Sequence, residues 1–592
     1  MSLADAVRAN VQAGDELHIV CGHTRWTAAA YEVVRQWWGR DPGFTLVMLS
    51  LSSLGTLFVR GGLVRRVVTG YSGDVFPNFT PNPIFGAAYL SRAVDVEHWS
   101  FLAFQQRLEA AARGLPAVTT RSLVGSSMAD NAGFSMVASP FAGEHGAGEH
   151  GAGEHGAGEH GAGEHGAGEH GAGEHGAGAS IGLLSAYAPD VALVHGAVAD
   201  RAGNVALHPP LLEGVWGALA AKRGAVVTVE RVVEDIRPWA HLVRLPAHRV
   251  LSVSECPMGA HPGGLYGRFT PAEPYGEDVA FWAAVRTASR GDDFDAWIAE
   301  WVLDIPDHQA YVAKLGVDRC RALRRRADPQ SWRDDEAAHP PDLHASVNAW
   351  ERATVFAARL LADRILATGA DAVLAGAGVA NLAAWLAVRL ARWRGSSCVL
   401  CAELGLWGYE PTPADPFVFN HRAFPSATMI ADSSEILGLT VPGPGTTTLA
   451  CLGAAIIDAS GNIDSTLVPD RAFLVGSGGG NDVASTADEV VVVATLTARR
   501  TVELVPYVTS PGGRVSHLVT DLGVFRKQGD GRFVLVSVPA GVGSVEERTE
   551  AVRSRCGWEL VVAPVLAKLS EPTSEEIEML RRWDPEGLFL RG

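Results

Sequence analysis

Two short runs carry residue types whose spacing suits chemistry on a bound ligand. In Ser397-Cys398-Val399-Leu400-Cys401-Ala402-Glu403-Leu404-Gly405-Leu406-Trp407-Gly408, an apolar strand pattern ends in a lone carboxylate followed by glycines. Ligands of open α/β sheets gather beyond the carboxyl ends of strands, which places Glu403 to act as a nucleophile. The competing reading is that Glu403 caps or hydrogen-bonds a turn. The second run spans residues 475–484 and sets Gly476, Gly478, Gly479 and Gly480 before Asn481. Glycines let the backbone approach a ligand closely and aim N–H groups at an oxyanion or phosphate. The run matches neither a Walker loop nor a strict Gly-x-Gly-x-x-Gly fingerprint, and a plain tight loop is its alternative.

Other candidates carry less. Cys398 and Cys401 have CxxC spacing, but no second pair follows at zinc-ribbon distance and the residues between them form strands, which favours buried structural thiols. His23 and Arg25 open a helix after a strand, where N–H groups and a cation can meet an anion; a simple cap explains them equally well. His261 precedes Pro262 in a turn and fits a hydrogen-bonded structural role. Over residues 142–179 the chain repeats Gly-Ala-Gly-Glu-His, placing seven histidines from His145 to His175 five residues apart. That period matches neither helix nor strand and offers no large apolar group, so a solvated loop is expected. A metal-binding scaffold using these histidines and the CxxC pair is the non-enzymatic alternative, although a stable metal site needs convergent geometry.

The elements that must position these residues come in two similar sets. Residues 14–22 form a short apolar strand ending at Gly22, followed by a helical pattern with Ala30, Val33, Val34 and Trp37 on one face. Residues 369–376 repeat the arrangement, and their helix presents Leu382, Trp385, Leu386 and Trp393. Further on, the Asp200-x-x-Gly203-Asn204 turn of the first half is echoed by Asp458-x-x-Gly461-Asn462 in the second. Asp and Asn bond nearby backbone in such turns, and Gly accepts positive φ. Continuously apolar runs such as 226–229 and 490–494 suit parallel strands covered on both faces. An α/β class with two related halves follows. The proline-rich, charge-mixed stretch 324–344 looks like a linker, so the expected domains are 1–325 and 346–592, joined by 326–345, with the 142–179 repeat inserted in the first.

Composition bounds the function. The 592 residues include 66 acidic and 49 basic side chains, a net charge of -17, and 47% apolar residues. Such a chain buries a sizeable core, and its charge argues against a nucleic-acid or anionic-membrane surface. Seven cysteines, an odd number spread along the chain, do not make a secreted disulfide framework. The first 20 residues lack the basic head and apolar core of a signal peptide. The longest apolar stretch, 370–393, is broken by Asp371, Asn381 and Arg389, which speaks against a membrane span. A cytoplasmic protein is expected.

The two active runs and their surroundings resemble family I CoA-transferases of the glutaconate type, whose two subunits would correspond to the two halves. In the first half the likeness rests on Gly22-His23-Thr24-Arg25 and on Gly259-Ala260-His261-Pro262-Gly263-Gly264-Leu265-Tyr266-Gly267. In the second it rests on Glu403-Leu404-Gly405, on Asp458-Ala459-Ser460-Gly461-Asn462-Ile463-Asp464, on Gly476-Ser477-Gly478-Gly479-Gly480-Asn481 and on Val508-Thr509-Ser510-Pro511-Gly512. The resemblance implies two open α/β domains of the CoA-transferase type in tandem, and an enzyme moving coenzyme A from an acyl-CoA to a carboxylic acid. It implies Glu403 as the residue that forms a covalent glutamyl-CoA thioester, although Leu404 stands where the family carries a polar Ser or Asn. Backbone N–H groups of Gly405, Gly476, Gly478, Gly479, Gly480 and Asn481 would bind an oxyanion or CoA, with Gly479 needed for its backbone angles. His23, Arg25, Tyr71 and Ser72 would face the substrate. No permanent cofactor or metal is implied, the CoA thioester being a substrate, and assembly into a homo-oligomer is expected. Thioester hydrolysis, ring cleavage and decarboxylation are the alternatives on the same fold.

Overall fold

The structure is a computed structural model that describes residues 1–22, 24–138, 180–417, 421–541 and 543–591. His23 and the 142–179 repeat lie outside the described residues. Among the described residues no helix is long and apolar enough to cross a membrane.

Each half is built on an open sheet with the same central order. In the first, Glu16–Ile19 is the middle strand. On one side follow Phe44–Leu51, Val64–Ser72 and Asp95–His98; on the other, Val191–Asp200, Gly224–Val233 and Val250–Glu255, all parallel. In the second, Ala372–Ala375 takes the middle, with Val399–Ala402 on one side and Thr448–Gly453, Glu489–Ala494 and Val515–Thr520 on the other, again parallel. Antiparallel strands, among them Val524–Lys527 and Phe533–Pro539, then extend the second sheet. The parallel strands are near-continuous apolar runs because both faces are covered: Val191–Asp200 is buried at every position but the last, and Glu489–Ala494 at every position but the first.

Local details repeat between the halves. The Asp200 carboxylate accepts from the Asn204 backbone N–H at 2.9 Å and its side-chain amide at 2.8 Å. Asp458 accepts from the same two groups of Asn462 at 2.9 and 3.0 Å. Gly203 and Gly461 take φ values of +100° and +84° in these turns, so both turns are closed by one device. Helices Ala28–Trp37 and Val379–Trp393 follow the two middle strands and bury Ala30, Val33, Val34 and Leu382, Trp385, Leu386 respectively. Trp393 departs from the expected face. It ends the helix 53% exposed, with the Arg389 guanidinium 5.3 Å from its ring centroid.

One apolar cluster belongs to neither half alone. It joins Val47, Leu49, Phe101 and Leu102 of the first to Leu374, Leu404, Leu437 and Val483 of the second. The stretch expected to be a linker contains a short helix, Trp332–Ala338, none of whose residues is buried. Its Asp335 pairs with Arg326 of the same stretch at 3.0 Å and with Arg422 of the second half at 2.5 Å.

Candidate active site

Glu403 stands directly beyond the strand Val399–Ala402. The chain then reverses at Gly405, whose φ of +112° carries it into Leu406–Trp407, antiparallel to the strand it has left. A side chain at Gly405 would place its Cβ 1.9 Å from the Ala431 carbonyl oxygen. The Gly405 N–H is bonded to the Ala402 carbonyl at 3.1 Å, so this glycine closes the turn and its N–H is not turned to a ligand. The Glu403 carboxyl opens on a cavity of about 440 Å³, lined by the glycine run, the turn 376–379, Arg500 and Trp350 of the second half, and Ser50, Tyr71 and Phe101 of the first.

The glycine run hangs from the first half by backbone bonds. Ser72 N–H donates to the Val475 carbonyl at 2.7 Å, Gly478 N–H to Gly70 at 2.9 Å, and Phe101 N–H to Gly478 at 3.0 Å. Gly476 and Gly478 take φ values of +109° and +53°, and a Cβ on Gly476 would lie 2.7 Å from the Gly70 carbonyl. The Gly480 N–H is bonded to Ser477 at 3.0 Å. That leaves the Gly479 N–H turned to the Glu403 carboxylate. A Cβ on Gly479 would fall 1.9 Å from Glu403 Oε2. Its φ of -83° is open to any residue, so glycine is required here by the closeness of the carboxylate and not by its backbone angles.

Electrostatics bias Glu403 toward reactivity. Burial foremost, and then the nearby Asp482 charge, push its carboxyl up to about 7 against the downward pull of the Gly479 N–H. A carboxyl so placed ionises in the neutral range and is a better nucleophile once ionised.

Of the remaining sequence candidates, Tyr71 lines the cavity, its hydroxyl donating to the Asp74 carbonyl at 2.8 Å. Ser72, the next residue on the strand, points the other way: its Oγ lies 3.0 Å from the Tyr89 hydroxyl, fully buried. The Asn481 backbone N–H donates to Ser477 Oγ at 3.3 Å, and its side chain is turned from the cavity, the amide donating to the Thr509 carbonyl and the oxygen accepting from Leu123 N–H, both at 2.8 Å. Arg25 is buried within the first half, where its guanidinium donates to the carbonyls of His208 and of Pro210. His261 is held between Tyr311 at 2.7 Å and Asp278 at 3.0 Å. Cys398 and Cys401 are three apart on an extended segment and enter different core clusters on opposite faces of the sheet, so they cannot share an ion. Among the described residues no group of three or more His, Cys, Asp or Glu is placed to hold a metal. Sequence reasoning missed Asp482, Arg500 and Trp350. An acid directly after Asn481, inside a small apolar helix, was the available signal for the first.

Comparison with known proteins agrees with this geometry. The coenzyme A transferase family model matches residues 1–255. One subunit of 3-oxoadipate CoA-transferase from Pseudomonas knackmussii is 26% identical over 327 residues, covering 53% of this chain and 97% of that subunit. A second subunit of the same enzyme is 28% identical over 216 residues, 33% of this chain and 81% of the subunit. For glutaconate CoA-transferase from Acidaminococcus fermentans, one subunit is 33% identical over 137 residues, 23% of this chain and 41% of that subunit. The acyl-CoA transferase apoenzyme of Escherichia coli O157:H7 shares the fold, with a TM-score of 0.61 at 15% identity over 97% of this chain and 95% of that one.

Proposed function

We propose that this chain is a coenzyme A transferase that moves CoA from an acyl-CoA to a carboxylic acid, and that Glu403 is the side chain through which the CoA passes; the family model over residues 1–255 and the two similar subunits support the reading. The observation that carries this reading is the close approach of the Gly479 backbone to the Glu403 carboxylate in the cavity shared by both halves.

The steps balance without a further reactant. Ionised Glu403 attacks the thioester carbonyl carbon; the carbon–sulfur bond breaks, and CoA thiolate leaves an acyl-glutamyl anhydride. The thiolate then attacks Cδ of Glu403, expelling the first carboxylate and leaving the enzyme as a glutamyl-CoA thioester. An incoming carboxylate attacks the same Cδ, thiolate leaves again, and its attack on the acyl carbonyl of the new anhydride releases the new acyl-CoA and restores Glu403. Each attack on Cδ puts negative charge on a Glu403 oxygen, and the Gly479 N–H is already aimed at one. Its role is therefore to stabilise the oxyanions formed on the enzyme's own carboxyl. Arg500 and Trp350, whose guanidinium carbon and ring centroid are 5.1 Å apart at the cavity wall, offer the cationic and aromatic surface that the nucleotide end of CoA requires.

The finer assignment is a short dicarboxylic acyl group. Glutaconate and 3-oxoadipate, named for the relatives, are both of that class. We place the two subunit-like units at 1–325 and 346–592. The test is to incubate the enzyme with acyl-CoAs, reduce with borohydride and map the modified peptide. Reduction at Glu403, absent in Glu403→Gln, is the expected result; a turnover-competent substrate that leaves Glu403 unmodified overturns it. Omitting the acceptor acid distinguishes transfer from hydrolysis.

A further inference from the structure

The residue next to the glycine run makes contacts that the transfer chemistry does not by itself require. Asp482 has no exposed surface, and every hydrogen bond it accepts at its carboxylate comes from the other half of the chain. Ser100 Oγ donates to its Oδ1 at 2.5 Å, Ser122 Oγ to the same oxygen at 2.6 Å, and Leu102 N–H to Oδ2 at 2.9 Å. Its neighbour Asn481 takes the Leu123 N–H, and the Gly478 carbonyl takes that of Phe101. The first-half segment 100–102 and the turn 122–123 thus grip the start of helix Gly480–Thr486, whose preceding residue is Gly479.

We propose that Asp482 is a positioning residue for CoA transfer: it locks the glycine run against the first half so that the Gly479 N–H meets the Glu403 carboxylate. This rests on the reading of Glu403 as nucleophile. A buried carboxylate is a costly way to make three hydrogen bonds that a neutral amide could also make, since its charge must be desolvated. What the charge adds is a field at Glu403. The groups facing Glu403 are Asp482 and the Gly479 N–H; those facing Asp482 are Ser100, Ser122, the N–H groups of Phe101 and Leu102, and Glu403. Asp482 therefore couples closure of the two halves to the ionisation of the nucleophile.

Asn is an unusually clean substitute here. With its oxygen on Leu102 N–H, its amide can donate to both serine hydroxyls, which rotate to accept, so Asp482→Asn removes the charge and keeps the three partners. The experiment measures, from pH 5 to 9, the rate at which full-length enzyme forms the Glu403-CoA thioester from an acyl-CoA, for wild type, Asp482→Asn and Asp482→Ala. For Asp482→Asn the midpoint of the acid limb is expected to move down by at least about 0.5 pH unit, with KM for acyl-CoA within about twofold of wild type. For Asp482→Ala, kcat is expected to fall about 10- to 100-fold while KM changes far less, the pattern of lost alignment at the reacting carbon. An unmoved midpoint in Asp482→Asn, whether or not its melting temperature falls, shows a merely structural carboxylate and overturns the proposal. So does native kcat in Asp482→Ala. Wild-type turnover with no label on Glu403 refutes the reading of the nucleophile instead, and the two failures are thereby told apart.

Discussion

Replacing Glu403 by Gln is expected to abolish transfer and, at the same time, to stabilise the fold in alkaline solution. The carboxyl titrates near 7 in the folded chain against an ordinary value of 4.5. Its folded value is raised, so the protonated form is favoured by folding, and the stability this carboxyl permits is fully present below about pH 4.5 and lost as pH rises to 7. Once both states are ionised, the penalty reaches about 3 kcal/mol; at pH 5 it is below about 1 kcal/mol. Gln keeps an oxygen for the Gly479 N–H and carries no charge to desolvate. Urea unfolding of wild type and Glu403→Gln at pH 8 and pH 5 should therefore give a gap of about 3 kcal/mol in favour of the variant at pH 8, most of which closes at pH 5. A variant equal to or weaker than wild type at pH 8 would mean that Glu403 is solvated well enough to ionise freely, and the argument for an activated nucleophile would fail with it.

Two further outcomes follow from distances. Gly479→Ala puts a methyl group where Oε2 of Glu403 lies; kcat is expected to drop about 100-fold or more, as for loss of an oxyanion donor, whereas Gly513→Ala, with open space around its Cα, serves as the control and should match wild type in steady-state assays. Strands Phe134–Ala138 and Ser180–Ser185 pair antiparallel with Ala138 opposite Ser180, so the chain enters and leaves the histidine repeat at adjacent points of a ladder. Replacing residues 139–179 by a four-residue turn should leave the melting temperature equal or higher and the transfer rate unchanged; a large fall in either would give the repeat a role in the fold or the chemistry.

The α/β class and the duplicated architecture were legible because they rest on local signals: apolar runs of strand length, helical periodicity, and an Asp-x-x-Gly-Asn turn whose chemistry is contained within five residues. The position of Glu403 beyond the strand and at the cavity was legible for the same reason, being that of a lone acid where a strand gives way to glycine. The roles within the glycine run were not. Gly476, Gly478, Gly479 and Gly480 look alike in sequence, yet one meets the Gly70 backbone, one donates to it, one faces Glu403 and one closes a local turn. Ser72 and Asn481 were misjudged because a residue beside a site need not point into it; strand alternation turns Ser72 away from Tyr71, and Asn481 bonds Leu123, more than 350 residues distant in sequence.

That last distance explains why both halves are needed for one site. Glu403, the Gly479 backbone beside it and much of the cavity wall belong to the second half. Yet the loop carrying the donor obtains its shape from outside: Gly70, Ser72 and Phe101 fix its backbone, and Ser100, Leu102 and Ser122 fix the carboxylate that follows it. Backbone-to-backbone bonds of this kind depend on the position of the first-half strand and hardly on its side chains. Holding both halves in one chain keeps their mutual concentration high at any dilution. The placement of Gly479 beside Glu403 is thus a property of the docked pair.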